Sequence, residues 1–277
     1  MRSRLPSLTV LTLTLAACAG GPPSPPGLAY GVPDPASVTY LSGDTARMDI
    51  DAGGQSMQAR ISSAATLATE FSRDGDGVQV SMTVRDLDAR MSNPAGPPAS
   101  ADESGIEGPL VFTLDRRGVA TLVSQPKLNQ SAQQFFQPLL LAQTFFPRLP
   151  GRGVAPGESW TDTIRAEGPQ GEGSITSVSI VTYTAAGDTV IDGRSLVRIT
   201  LEGTTDQDAS GLIAGMDFSQ TASGNMSGWI LWDMRRGLMI ESYTDSDARG
   251  SMDVSAAPFP LGIRVRQQSR VKLQESM

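Results

Sequence analysis

The 277-residue chain has no histidine, one cysteine (Cys18) and two lysines, Lys127 and Lys272. Without histidine, the usual general base of serine and cysteine hydrolases and the commonest transition-metal ligand are both missing. A lone cysteine forms no internal disulfide, so the core rests on packing, and zinc, copper, haem and iron-sulfur sites lack a ligand set. No Ser-Lys dyad is assigned to either lysine. No phosphate-binding Gly-x-x-x-x-Gly-Lys loop or dinucleotide glycine pattern follows a strand. The sequence therefore supports no enzyme, no cofactor and no metal. Aromatic residues make up only 5% of the chain, and the formal charge is −7. An acidic body of this kind is not expected to bind nucleic acid.

What is present begins with a processing signal. Arg2 and Arg4 precede an apolar run, Leu5 to Ala17, that is too short to span a bilayer as a helix, so residues 1–17 read as a signal peptide. The run ends in Leu15-Ala16-Ala17-Cys18, which resembles the lipobox of bacterial lipoproteins. The resemblance implies that Cys18 is lipidated, becomes the first mature residue, and fixes the protein to a membrane without crossing it. Loss of Arg2 and Arg4 would move the charge from −7 to −9. Ala19 is not the aspartate associated with inner-membrane retention, so the resemblance implies the cell envelope, on the outer membrane facing the periplasm. Residues 18–36 are rich in proline and small residues and read as an extended tether reaching about 50 Å.

Residues 37–277 read as one β-rich domain. Ala46, Met48 and Ile50, then Met57, Ala59 and Ile61, alternate with polar residues as half-buried strands do. Thr66 to Ser72 faces Val78 to Arg85 across a Gly/Asp turn, the pattern of a β-hairpin. The apolar phase then shifts from Val78, Val80, Met82 and Val84 to Leu87, Ala89 and Met91, which predicts a bulge or a strand that turns from one surface to another. Gly108 to Val123 and Gly228 to Ser242 share a strand, an Arg-Arg-Gly turn and a second strand. Each follows a hairpin and a long irregular insertion, Ser92 to Ser104 and Asp206 to Ser223. This reads either as an internal duplication, with halves 37–124 and 156–275, or as two hairpins sharing a common turn. On the last strand, Arg264, Arg266, Arg270 and Lys272 share one face, with Asp245, Asp247 or Asp253 of a neighbouring strand as expected partners.

Between the halves, Phe135, Phe136, Leu139, Leu140, Phe145 and Phe146 recur at helical spacings. A helix over about 131–146 is expected within the segment 129–146, capped by Asn129 or Ser131, stopped by Pro147 and kinked by Pro138. The fold class is α+β, mostly β, with a large curved antiparallel sheet of two similar halves packed on that central helix. Such a sheet resembles the half-barrel of envelope lipoprotein carriers and lipid-binding lipoproteins, which implies a non-catalytic protein that takes a hydrophobic small molecule or acyl chain. The expected cavity residues are Phe135, Phe136, Leu139, Leu140, Phe145, Leu212, Ile213 and Phe218, with Gly211 to Phe218 as an apolar lid. The alternative is a structural or assembly lipoprotein that docks a protein partner on its sheet. Asp-x-Asp pairs at Asp49/Asp51, Asp74/Asp76, Asp86/Asp88, Asp206/Asp208 and Asp245/Asp247 raise calcium binding or glycoside hydrolysis, but turns and solvated faces explain them more simply.

Overall fold

The computed structural model describes residues 27–92, 98–170, 173–191, 193–213, 216–255 and 259–274. The signal segment, Cys18 and the tether through Pro26 lie outside these residues. The strands are β1 (Ser37–Ala52), β2 (Gln55–Asp74), β3 (Gly77–Ser92), β4 (Ala99–Ala101), β5 (Ile106–Glu107), β6 (Leu110–Leu114), β7 (Ala120–Ser124) and β8 (Lys127–Leu128). After the single α-helix among the described residues, α1 (Pro138–Thr144), come β9 (Ser159–Gln170), β10 (Gly173–Ile191), β11 (Arg194–Ile213), β12 (Met216–Asp233), β13 (Leu238–Val254) and β14 (Leu261–Gln274).

All but β5 and β8 join one antiparallel, curved half-barrel sheet in the order β7-β6-β3-β2-β1-β14-β13-β12-β11-β10-β9, with β4 added beside β3. The chain thus meanders outward from a central β1–β14 pair, and its two edge strands, β7 and β9, are linked by the segment that carries α1. Several strands reach 18 to 20 residues, about 60 Å when extended. The expected bulge lies between β2 and β3: Thr66 pairs with Asp86 and Leu67 with Val84, which leaves Arg85 as the extra residue. That insertion lets Val84 and Leu87 face the same side despite their odd spacing.

The expected helix over 131–146 is shorter. A single 3₁₀ turn occupies Ala132–Gln134 and α1 begins at Pro138. Pro138 forces the residue before it out of the helical region, and Gln137 is extended at φ −112 and ψ 94. Pro138 is therefore the first residue of a new helix and not a kink in a longer one. α1 packs against β9, β7 and β6, filling the space between the two sheet edges.

The sheet's centre of packing is the stretch after α1. Phe145, Phe146, Arg148 and Leu149 are all buried. The Phe146 ring meets Tyr30 at 6.0 Å, Tyr40 at 6.1 Å, Phe71 at 5.9 Å, Phe112 at 6.2 Å and Phe145 at 4.8 Å between centroids. Most of these contacts are edge-to-face, the arrangement the ring quadrupoles favour. Trp232 joins through Tyr30 at 5.2 Å. Arg148 is tolerated here because its guanidinium donates to the Gly118 carbonyl and the Gln143 side chain.

The expected tether also ends earlier than Ala36. Leu28 is 0% exposed and Tyr30 6%. The backbone amides of Leu28, Tyr30 and Asp34 donate to the carbonyls of Arg152, Arg116 and Arg236, so this stretch runs across the base of the sheet and seals the core. Composition alone does not reveal it, because buried backbone groups take whatever partners tertiary structure offers.

The two Arg-Arg-Gly hairpins lie at different places in the sheet, β6–β7 at an edge and β12–β13 inside it. Their turns share local chemistry. Asp115 accepts from the amides of Arg117 and Val119, Asp233 from those of Arg235 and Arg236, and each turn has a left-handed glycine, Gly118 or Gly237.

Candidate functional site

The register sorts every long strand into two faces. On β1, Tyr40, Ser42, Asp44, Ala46, Met48 and Ile50 face the concave side, in line with Leu67 to Met57 on β2 and Leu273 to Ile263 on β14. At the base this face is solid, filled by the aromatic cluster. Farther along the strands it opens. Met48, Ile50, Met57, Ile61 and Met91 occupy concave positions there and are only half-buried, with Ile50 against the small distal cluster, whereas Met226, across the sheet, packs on the base cluster. A small second cluster, Ala222, Met252 and Ile263 with Phe218 beside it, lies at the distal end.

The convex face is polar. Arg264 donates to Asp247 at 2.8 Å, Arg270 to Glu241 at 2.6 Å, and Arg47 to Asp49 at 2.9 Å. The basic row of the last strand thus meets acidic neighbours on β13. Asp247 is among the expected partners, while Glu241 takes the place given to Asp245 or Asp253. The arginines hold Asp49 and Asp247 below the usual carboxylate range. A sheet that crosses a bilayer needs a continuous apolar band on its outer surface; here arginine–aspartate pairs stand on that surface among scattered exposed apolar residues such as Leu41, Ile180 and Leu212. No helix among the described residues is long and apolar enough to cross a membrane.

The expected cavity residues are not brought together. Leu139 and Leu140 line a cavity of about 50 Å³ with Ala166, Gly168 and Ile175. Phe135 and Phe136 are half-buried before α1, and Phe145 belongs to the solid base. Leu212 is 42% exposed at a convex position, and the side chain of Ile213 lies outside the described residues. Phe218 is concave but at the distal end. Of the expected lid, Gly211 to Ile213 end β11 and Met216 to Phe218 begin β12, paired with each other, while residues 214 and 215 lie outside the described residues; the described residues of the irregular insertion Asp206 to Ser223 belong to the same paired strands. Both faces of the hairpin carry small or polar residues, so it lacks the alternation that marks a half-buried strand.

The expected cavity residues include none of the concave methionines. Met48 and Met57 fall on apolar faces by alternation, but curvature decides which face stays open, and alternation says nothing of curvature. Methionine is flexible and polarizable, which suits a surface that adapts to a ligand.

Each lysine does follow a serine by three residues, Ser124 before Lys127 and Ser269 before Lys272. On β14, however, such a spacing puts the two side chains on opposite faces, and the Lys127 ammonium is exposed beside Glu107 at 3.7 Å. Among the described residues there is no group of three or more metal-ligating side chains. Asp74 and Asp76 form the β2–β3 turn, and Asp88 is bound by Arg90.

No protein-family model matches the chain, and no curated protein matches its sequence. Among solved structures there is weak resemblance to Neisserial surface protein A, with 9% identity, 84% of this chain and 96% of that one covered, and a TM-score of 0.26. Pseudomonas aeruginosa OccK2 matches at 8% identity, 86% and 98% coverage, and 0.29. A domain of an outer membrane lipoprotein-sorting protein from Vibrio parahaemolyticus matches at 11% identity, 86% and 86% coverage, and 0.16. Scores of this size do not establish a common fold.

Proposed function

We propose that this is a non-catalytic cell-envelope lipoprotein, anchored through lipidated Cys18 on the outer membrane facing the periplasm, that holds an acyl chain on its concave face. The observation that carries the reading is the half-exposed apolar strip of Met48, Ile50, Met57, Ile61 and Met91, opposite a convex face laced with ion pairs. Apolar side chains left open on a curved inner surface are stabilised by an apolar occupant at roughly 25 cal/mol per Å² covered. The lipobox supplies the reason such an occupant is at hand.

Native mass spectrometry of the full chain, extracted gently from membranes, is expected to show retained lipid, and Met57→Asp is expected to lose it. A clean apo mass for the wild type overturns the reading. It would favour the second one, a structural lipoprotein that docks a protein partner. The solid base and the cavity of only about 50 Å³ beside α1 speak for that alternative.

A further inference from the structure

We infer that Asp44 is the polar anchor of the concave groove and that the groove's occupant is an amphiphile with a cationic amine head. This rests on the groove reading above and adds the headgroup. From Tyr40 to the distal end, Asp44 is the sole acidic or basic side chain at the concave positions of β1 and of the stretches of β2, β14 and β13 in register with it. Level with this part of the groove, Asp162 on β9 also stands at a concave position, and it already has a cation, the Arg117 guanidinium at 2.7 Å. Three acids on the convex face have cations too, Asp49 with Arg47, Asp88 with Arg90 and Asp247 with Arg264.

Asp44 instead faces hydroxyls. Ser63 and Ser269 are its register partners on either side and Ser42 stands two residues before it. Burial pushes the Asp44 pKa up, against the lowering effect of these three serines. Hydroxyl groups satisfy lone pairs but bring no positive charge, so a half-buried carboxylate here lacks the counter-ion that would offset its lost hydration. The concave positions toward the base, Tyr40 and Val271, belong to the solid core, and those in the other direction are Ala46, Met48 and Ile50. An amine seated at Asp44 therefore places its alkyl chain along the methionine strip toward the distal end. An anionic head would meet an unscreened like charge.

The test titrates the full chain carrying Cys18→Ala, which keeps bilayer out of the cell, with dodecylammonium, dodecanol and laurate by calorimetry at neutral pH. Dodecylammonium is expected to bind about tenfold tighter than dodecanol, the worth of one charge-assisted contact, with laurate weakest. Asp44→Asn should erase the preference and leave dodecanol affinity unchanged, whereas Asp253→Asn, on the exposed convex face, should keep it. Equal binding of the amine and the alcohol, or a preference that survives Asp44→Asn, overturns the headgroup assignment while the groove stands. If none of the three binds, the groove reading falls and the anchor falls with it.

Discussion

The same strands build two different materials at their two ends. At the base, large side chains meet: Tyr40, Phe71, Phe112, Phe146 and Trp232 are all buried. At the distal end the concave positions hold Gly203, Gly224, Ala222, Gly250 and Ala209, with a second core of only three buried residues. The base is stabilised by what fills it and the distal end by what leaves room. A sheet curled tightly enough to make a groove brings its inner positions close to the next strand's backbone, and there only a missing Cβ fits. A methyl group added at Gly250 would collide with the Thr221 carbonyl, and one at Gly224 with that of Asp247. A β-protein thus divides labour along its strands, anchoring at one end and offering a surface at the other.

The sharpest way to break that contrast is to remove a large side chain from each end. Phe146→Ala deletes the ring that touches five other aromatics and should cost about 3 to 5 kcal/mol through lost transfer energy and an unfilled cavity. That is a large share of a typical domain's stability. Met57→Ala, on the half-exposed strip, should cost about 1 kcal/mol because fewer packing partners are lost. Urea unfolding of both variants checks this; similar losses would mean that the distal concave face is as solid as the base.

The contrast also explains what can be read from the sequence. Alternation at Met48 and Ile50 and at Met57 and Ile61 yields correct strand faces, and the jump from Val84 to Leu87 yields the bulge, because period two is a local property. Phe145 and Phe146 stand out as an apolar pair, but their role depends on Tyr30, Tyr40, Phe71 and Phe112, which come from distant parts of the chain. The expected helix is too long because the spacing of the phenylalanines masks the effect of Pro138 on Gln137. The distal part of the β11–β12 hairpin escapes for the opposite reason: Thr204, Asp206 and Asp208 on one face and Thr205 and Gln207 on the other leave no hydrophobic pattern to read. A paired stretch whose two faces are both small or polar is the part of such a fold that sequence hides best.

A smaller effect tests the distal end by addition. Gly250→Ala puts a methyl group into the Thr221 carbonyl, and the two strands must shift to admit it. Overpacking of this kind costs about 1 to 3 kcal/mol. The loss should be accompanied by weaker dodecanol binding, since β12 and β13 form part of the curled wall, whereas Phe146→Ala at a temperature where it remains folded should leave that binding in place. Gly54→Ala is a matched control on an open turn, where a Cβ meets nothing but the φ of +93° is still unfavourable. If Gly54→Ala weakens dodecanol binding as much as Gly250→Ala does, tight curvature at Gly250 is not what shapes the groove.

The smallest expected effect separates the two faces by pH. A carboxyl whose folded pKa is raised gives its full contribution to stability below its unfolded value, about 3.9, and loses it as pH climbs through the raised folded value. Asp44 is of this kind. Asp49, Asp247 and Glu158 are the reverse: their arginine neighbours lower the folded values, so their contribution is present above the unfolded pKa and fades as the solution is acidified. Wild-type stability should therefore fall toward acid, driven by the convex pairs, with Asp44 opposing that slope. In Asp44→Asn the opposing part is gone. The variant should be as stable as wild type at neutral pH or slightly more so, within about 1 kcal/mol, and its advantage should shrink as pH drops toward 4. Urea unfolding of both proteins between pH 4 and 7 reads the difference directly. A variant clearly less stable than wild type at neutral pH would show that the carboxylate's contacts with Ser42, Ser63 and Ser269 outweigh its lost hydration, and Asp44 would then be a structural residue with no need of a ligand's charge.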